Sequence, residues 1–269
     1  MEYLQNLHTH STFCDGKDTP EEMVLEAIKG GFDSLGFSSH SYIPGGEYYC
    51  MQDFDGYKAE ICRLKEKYKD KLEIFLGIEF EMYSPKDLDG YDYIIGSSHY
   101  IKVGDEVIDI DLKAPEIKKI VDNYFDGDGM KLARKYYETI AQMPEYVIPD
   151  FIGHFDVIRK NTEKIELFDT SSKEYKNYAL EALHALTEKN DIFELNTGCI
   201  SRGHLKKPYP DEFILKELKK LNKKIVITSD CHNKAFLDAD FNLGEELLKS
   251  IGFSEVYVLK KSGFVPIKL

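Results

Sequence analysis

The chain has 269 residues, of which 42% are hydrophobic, and a formal net charge of −13. That length is typical of a single α/β barrel, and the hydrophobic content excludes a disordered chain. The excess of acidic residues argues against a nucleic-acid backbone or an anionic membrane as the main partner, because like charges repel.

Strands and helices are predicted to alternate along the chain. The first helix shows the signals most clearly: Thr19 can cap it, Pro20 suits its first turn, Glu22 can reach back to the cap, and a glycine pair ends it. Strands are predicted at 3–7, 34–39, 72–83, 91–100, 147–155, 192–196 and 225–228, and helices at 20–29, 53–68, 115–142, 173–189, 211–221 and 243–250. The helical region 115–142 is predicted to break at 126–129, 101–110 to be a polar connection, and 256–259 to add a peripheral strand.

Several of these strands are apolar throughout, as in Ile225-Val226-Ile227. Continuous apolar runs are typical of parallel strands that helices cover on both faces. Seven strand–helix units with no break in composition predict one α/β domain over residues 1–269. The sequence does not indicate its oligomeric state.

The start of the chain and the cysteines predict a cytoplasmic protein. Met1-Glu2-Tyr3 lacks the basic and apolar segments of a signal peptide, and no apolar run approaches the ~20 residues that span a bilayer. The five cysteines form no C-x-x-C pair, which fits free thiols in a reducing compartment.

Metal-binding residue types follow almost every predicted strand. His8 and His10 alternate at the end of the first strand, so both imidazoles are expected on one side. In barrels of this kind the chemistry lies at the C-terminal ends of the strands. We therefore predict a metal site built from nine residues: His8, His10, Asp15, His40, Glu79, His99, His154, Asp230 and His232.

Nine candidates exceed the four ligands of one tetrahedral zinc. Two or three divalent ions that share a bridging carboxylate are the simplest arrangement, and such pairs assist phosphoryl transfer. Imidazole ligands suit Zn, Fe and Mn. No cysteine occupies a ligand position, which argues against a purely structural zinc.

These motifs resemble those of the polymerase-and-histidinol-phosphatase (PHP) superfamily, in the same order and over nearly the whole chain. The matching segments are His8-Thr9-His10-Ser11 with Asp15-Gly16, Gly77-Ile78-Glu79, Gly96-Ser97-Ser98-His99, Gly153-His154 and Ser229-Asp230-Cys231-His232. The resemblance implies a distorted (β/α)7 TIM-like barrel. It also implies one metal held by His8, His10, Glu79 and Asp230, a second held by Glu79, His99 and His154, and a third held by Asp15, His40 and His232.

Within the superfamily, the length and the segment Glu194-Leu195-Asn196-Thr197-Gly198 with a later Arg202 are similar to the histidinol-phosphate phosphatases. This resemblance implies a metal-dependent phosphomonoesterase of histidine biosynthesis that converts L-histidinol phosphate to L-histidinol and phosphate. The expected catalytic residues are Asp230, His232 and Arg202.

Four residues are predicted to bind the small phosphorylated substrate: Arg202, Asn196, Arg159 and Lys160. Arg202 is the first candidate for the phosphate, because a guanidinium group matches phosphate oxygens bidentately. Glu81 could compete with Glu79 as a ligand or orient one. Asp156 is a candidate for a similar supporting role or for an acid, and the role of His204 stays open.

Three other functions fit parts of the pattern. The same site could act on phosphotyrosine peptides or another small phosphoester, and an open, shallow cavity would favour the peptide. An amidohydrolase also uses a His-x-His strand in a barrel, but usually with a bridging lysine where this chain has Glu79. A metal-binding regulatory module without activity is the third alternative.

Overall fold

Seven parallel strands form the central sheet, in chain order from one edge to the other. The computed structural model describes residues 3–46, 48–85 and 87–269. The strands are β1 (Gln5–Asn6), β2 (Ser34–Phe37), β3 (Glu73–Glu81), β4 (Tyr93–Ser97), β5 (Phe151–Ile152), β6 (Ile192–Asn196) and β7 (Lys224–Thr228). A parallel sheet covered by helices is the α/β architecture that the sequence predicts.

The first and last strands close the sheet just beyond their carboxyl ends. Thr9 and Cys231 form a parallel bridge, in which the Cys231 amide donates to the His8 carbonyl at 3.0 Å and the His10 amide donates to the Cys231 carbonyl at 2.8 Å. The closure confirms the predicted distorted (β/α)7 barrel, and it joins the two segments that carry the first and last predicted metal ligands.

Helices alternate with the strands. They are α1 (Pro20–Lys29), α2 (Phe54–Tyr68), α3 (Ala114–Tyr124), α4 (Gly129–Ile140), α5 (Met143–Tyr146), α6 (Lys173–Thr187), α7 (Gly198–Ser201), α8 (Glu212–Lys220) and α9 (Phe241–Ile251). Short 3-10 turns span Val157–Asn161 and Lys234–Phe236. Within the described ranges, none of the helices has both the length and the apolar character needed to cross a membrane.

The local signals of two helices act as predicted. At the start of α1, the Thr19 hydroxyl accepts from the Glu22 amide at 3.3 Å, and the Glu22 carboxylate accepts from the Thr19 amide at 2.9 Å. Between α3 and α4, Asp126 and Gly127 have positive φ angles of 55° and 76°, which a right-handed helix cannot contain. The predicted break at 126–129 is therefore confirmed.

Two hairpins depart from the prediction. Residues 101–110, expected to be a polar connection, contain most of an antiparallel pair of Tyr100–Val103 and Glu106–Asp109, which we call the inserted hairpin. Its two-residue turn places Gly104 at φ 61°, a conformation that glycine adopts without strain. At the other end of the chain, Glu255–Lys260 pairs with Gly263–Lys268, so the predicted peripheral strand is half of a C-terminal hairpin.

The fifth barrel strand is much shorter than predicted, with only Phe151–Ile152 in place of 147–155. Beyond Gly153, the His154 amide donates to the side-chain carboxylate of Glu194 at 2.5 Å instead of continuing the ladder of backbone hydrogen bonds. A side chain from the neighbouring strand thus ends this strand at the position where its histidine enters the site.

The barrel interior is apolar and is closed at its amino-terminal end by the C-terminal hairpin. One cluster of buried residues contains Leu7, Phe75, Tyr93, Ile95, Phe151, Ile192, Val226 and Leu259. The side chain of Gln5, at the start of β1, donates to the Leu259 carbonyl and accepts from the Leu259 amide, both at 2.8 Å. Tyr93 needs glycine beside it, because a Cβ atom at Gly77 would lie 2.2 Å from its ring.

We expect Leu259→Ala to lower the free energy of unfolding by about 2–5 kcal/mol, because truncating a buried leucine removes apolar contacts and leaves a cavity. Leu259 is 6% exposed. Leu25, which is 51% exposed on α1, supplies the matched control, and Leu25→Ala should change stability by less than about 0.5 kcal/mol. Urea unfolding followed by far-UV circular dichroism measures both. Equal midpoints for the two variants would contradict the role of the C-terminal hairpin in closing the barrel interior.

Candidate metal centre

The carboxyl ends of the barrel strands converge, and the structure brings all nine predicted ligand residues together there. Within the cluster, groups of side chains have ligand atoms within 4.8 Å of one another, a spacing that could hold a metal ion. The groups are His8 with His10 and Asp230, His8 with Glu79 and His154, His40 with Glu79 and His99, and His10 with Asp15, His40 and His232.

Glu79 lies in the middle of the cluster with its side chain 1% exposed. Its Oε2 atom is 2.9 Å from His40 Nδ1 and 3.2 Å from His8 Nε2. Its Oε1 atom is 2.8 Å from His154 Nε2 and 3.6 Å from His99 Nε2. Oε2 is also 3.5 Å from His10 Nε2. The two oxygens therefore face different sets of imidazoles, which is the arrangement that a bridging carboxylate requires.

The remaining ligand candidates lie on either side of His10. On one side, His10 Nε2 is 3.2 Å from Asp230 Oδ1. On the other, Asp15 approaches three imidazoles: its oxygens are 3.2 Å from His232 Nε2, 3.6 Å from His40 Nε2 and 3.8 Å from His10 Nδ1. Asp15 and His232 are the most exposed members, at 32% and 23%, so this side of the cluster opens toward solvent.

Several buried atoms of the cluster have no hydrogen-bond partner among the described residues, namely His8 Nε2, His10 Nε2 and Glu79 Oε2. Their mutual distances of 3.2–3.5 Å lack hydrogen-bonding geometry. Unpaired polar atoms are costly inside a protein unless they bind water or an ion. Three lone-pair donors that face one another without partners fit a metal ion, so the donor set matches divalent metals.

The electrostatics of the cluster favour the same conclusion. Burial opposes ionisation of Glu79, but the imidazoles of His8 and His40 hold the pKa of this carboxyl well below its usual value. Burial lowers the pKa of His10 to about 3, so its imidazole is neutral and can bind a metal. The pKa of His8 is raised well above its usual value, because Glu194 and Glu79 outweigh its burial. The carboxylates around His8 thus favour positive charge at this position of the cluster.

Two further carboxylates support the cluster from behind, and only one of them was singled out from the sequence. Glu194 accepts from His8 Nδ1 at 2.6 Å, and Glu81 lies 3.2 Å from His99 Nδ1. In each case the other ring nitrogen, Nε2, faces the cluster, as in the carboxylate–histidine–metal arrangement of many sites. Glu81 thus fixes the ring of His99, a predicted ligand. Glu194 could have been found as the one charged residue of the predicted strand 192–196.

Arg202 lies at the edge of the cluster. Its Nη2 donates to Asp230 Oδ2 at 2.8 Å, and its Nη1 donates to the Asp230 carbonyl at 2.6 Å. The same Nη1 is 3.0 Å from His232 Nδ1. With its side chain 30% exposed, Arg202 links two predicted ligands and also faces the solvent-filled space above them.

A cavity of about 430 Å³ lies over the exposed side of the cluster. This volume suits a small molecule. Predicted ligands Asp15, His40, His99, His154, Asp230 and His232 line it, and so do Lys17, Tyr48, Tyr49, Asp109, Asp111, Lys160, Arg202, His204, Tyr209 and Phe236. Lys160 is held by Asp111 at 2.7 Å, and His204 by Lys164 at 2.9 Å, so both stand at fixed positions in the wall.

The structure does not bring two of the predicted substrate-binding residues to this cavity. Arg159 is buried and donates to Asp156 at 2.5 Å and to the Pro208 carbonyl at 2.9 Å, which leaves it in the protein interior. Asp156 is committed to the same ion pair. Asn196 is also buried, and its amide donates to Glu194 at 3.1 Å. These three residues lie in the protein interior beneath the site. Their burial could not be predicted from the sequence, because their side chains are polar.

Comparisons with known proteins agree with the geometry. The family model described as "PHP domain" matches residues 6–198. A protein of Schizosaccharomyces pombe described as a probable histidinol-phosphatase is 25% identical, with 94% of this chain and 89% of the relative covered. The histidinol-phosphatase of Lactococcus lactis is 27% identical, with 93% and 91% covered.

A solved structure shares the fold. It is that of histidinol phosphate phosphatase from Lactococcus lactis, complexed with zinc, L-histidinol and phosphate. The TM-score is 0.72 at 22% sequence identity, and 97% of this chain and 98% of that chain are covered. The similarity thus extends over the C-terminal part of the chain that the family model does not match.

We expect Glu194→Gln to weaken zinc binding by about 10–100-fold, because a neutral amide accepts the hydrogen bond from His8 Nδ1 without the negative charge of the carboxylate. Competition with a chromogenic chelator measures the affinity. Glu255→Gln, a change at an exposed glutamate of the C-terminal hairpin, is the control and should bind zinc as the unmodified protein does. Unchanged affinity in Glu194→Gln would show that this carboxylate does not support the metal centre.

Proposed function

Because the chain belongs to the PHP domain family, we propose that it is a metal-dependent phosphomonoesterase that hydrolyses L-histidinol phosphate to L-histidinol and phosphate. The observation that carries this proposal is the cluster itself: a buried glutamate among five imidazoles, beneath a cavity that Arg202 and Lys160 also line. Relatives that cover most of the chain bear the name of the same activity.

We infer that the nine ligands divide into three groups, one for each of three ions. His8, His10 and Asp230 would hold the first with Glu79, and His99 and His154 the second with Glu79. Asp15, His40 and His232 would hold the third. Zinc suits these imidazole and carboxylate donors, and iron and manganese accept them as well. When bound, such ions supply an activated water and positive charge for displacement at phosphorus.

Arg202 and Lys160 would bind the phosphate. A guanidinium group has five N–H donors. On Arg202, Asp230 uses two of them and a third lies near His232 Nδ1. The others can meet phosphate oxygens as charge develops on them. Asp230 thus has two tasks: it binds metal through one oxygen and fixes Arg202 through the other. His232, beside both, is placed to interact with the same oxygens.

The cavity supports a small substrate over a peptide. Its volume of about 430 Å³ accommodates a molecule the size of histidinol phosphate. The inserted hairpin and the loop that carries Tyr48 form its walls.

A panel of phosphate-release assays identifies the substrate. The zinc-loaded protein should act on L-histidinol phosphate with the highest kcat/KM, ahead of a phosphotyrosine peptide and nucleotides. Preference for the peptide would replace this proposal with its closest alternative.

His10→Ala should lower phosphate release by more than about a hundredfold, since loss of a ligand exceeds the effect of losing a supporting carboxylate. Metal content, measured on the same samples, should fall too. His184→Ala is the matched control, because His184 is exposed on α6 and pairs with Glu217. Full activity in His10→Ala would disprove a metal-dependent reaction at this cluster.

Arg202→Lys should lower kcat/KM by about 10–100-fold, because it removes a charge-assisted hydrogen bond of fixed direction to the phosphate. Lysine keeps the charge but loses the planar fork. The control is Arg63→Lys, because Arg63 is an exposed arginine on α2 that pairs with Glu60 and Glu21. Steady-state kinetics on metal-loaded protein measures both, and equal kcat/KM values would remove Arg202 from the phosphate site.

A further inference from the structure

The inserted hairpin brings two carboxylates to the cavity wall, and they differ in how their charge is compensated. Asp109 ends the second strand of the hairpin, and Asp111 follows it closely. Both line the same cavity as the metal cluster. Lys160 lies 2.7 Å from Asp111, so that carboxylate is already paired with a cation.

Asp109 has no such cation. Its Oδ2 accepts from the Tyr48 hydroxyl at 2.5 Å, and its Oδ1 accepts from the Asp111 amide at 2.8 Å. Within the described ranges of the chain, no lysine, arginine or histidine nitrogen lies within 4 Å of it. Partial burial raises the pKa of Asp109 and the charge of Asp111 raises it further, whereas the Tyr48 hydrogen bond and the charge of His99 lower it. A cation bound directly to the carboxylate would favour its ionised form.

The surroundings of Asp109 also suit an organic cation. Tyr48 and Tyr49 line the cavity with ring centroids 4.9 Å apart. The ring of Tyr49 lies 4.9 Å from that of His40, so aromatic surface continues from Asp109 to the metal cluster. Aromatic faces attract ammonium groups, and a carboxylate keeps free lone pairs after two hydrogen bonds.

We propose that Asp109 binds the ammonium group of the substrate, so that the site selects phosphomonoesters that carry an amine near the phosphate. This inference rests on the proposed function and deepens it. The phosphate lies at the metal ligands and Arg202, and the ammonium group lies against the inserted hairpin. L-Histidinol phosphate has both groups, whereas a phosphotyrosine side chain has no amine near its phosphate.

A structural role for Asp109 predicts a different outcome. The Tyr48–Asp109 hydrogen bond joins the loop after β2 to the inserted hairpin, so the carboxylate could act only by holding the wall together. In that case its loss affects every substrate equally. Selection by charge affects only substrates that carry the amine.

The test compares two substrates on zinc-loaded Asp109→Asn and on the unmodified protein. They are L-histidinol phosphate and its analogue with hydrogen in place of the amine. Asparagine keeps the shape and still accepts from Tyr48. We expect kcat/KM for L-histidinol phosphate to fall by about 10–100-fold, as for the loss of a charge-assisted contact, and kcat/KM for the analogue to change by less than about threefold. Asp105→Asn, in the exposed turn of the same hairpin, is the matched control and should leave both values unchanged.

An equal fall for both substrates, or no fall for either, would overturn the inference. Calorimetric binding of L-histidinol and of the corresponding alcohol without the amine supplies a second readout that needs no turnover. The unmodified protein should prefer L-histidinol, and Asp109→Asn should lose that preference. If no phosphoester is hydrolysed but the binding preference behaves in this way, the proposed function fails and the role of Asp109 stands. If hydrolysis occurs without any preference for the amine, only the role of Asp109 fails.

Discussion

The contact between the buried Glu79 carboxylate and the imidazoles around it is the constraint on which the rest of the site depends. Removing a carboxylate from water costs several kcal/mol unless nearby cations and hydrogen bonds compensate for it. Glu79 is 1% exposed, and imidazole nitrogens surround both of its oxygens. Those rings come from four different strand ends, so the charge is compensated only when the barrel is closed in the correct register. Folding and the formation of the metal centre are therefore coupled.

The closure between the first and last strands shows how the fold meets this requirement. Thr9 pairs with Cys231, and the residues that flank this bridge are His8, His10, Asp230 and His232. Successive residues of an extended chain point to opposite sides, so pairing Thr9 turns His8 and His10 toward the same region. On the other segment, Asp230 adopts a left-handed conformation with φ 46°, and the bridge at Cys231 holds it beside them. A shift of one residue in the register of this pairing would turn Thr9 and Cys231 toward the cluster in place of predicted ligands. One bridge therefore sets the geometry of four of the nine candidates.

The sequence predicted this part of the structure well, because it depends on local rules. Strand ends and the alternation of side chains identified eight of the nine residues that converge, and Asp15 was added from the loop after the first strand. The same rules could not reveal which polar side chains are buried among partners. The sequence gives no reason to expect different roles for the charged residues Glu194 and Arg159. In the structure, Glu194 accepts a hydrogen bond from His8, whereas Arg159 pairs with Asp156 inside the protein. The C-terminal hairpin was also missed in part, since Leu259 gains its role only from a barrel interior assembled by distant segments.

The inserted hairpin shows why substrate choice was the hardest feature to predict. The barrel strands are committed to the core and the metal ligands, so few of their side chains are free to read the organic part of a substrate. Selectivity must then come from segments beyond the strand ends, which scaffolds of this kind use for binding. In this chain those segments are the inserted hairpin and the loop that carries Tyr48, joined by the hydrogen bond from Tyr48 to Asp109. That bond holds the Asp109 carboxylate in the cavity wall, where no lysine, arginine or histidine nitrogen of the described residues pairs with it.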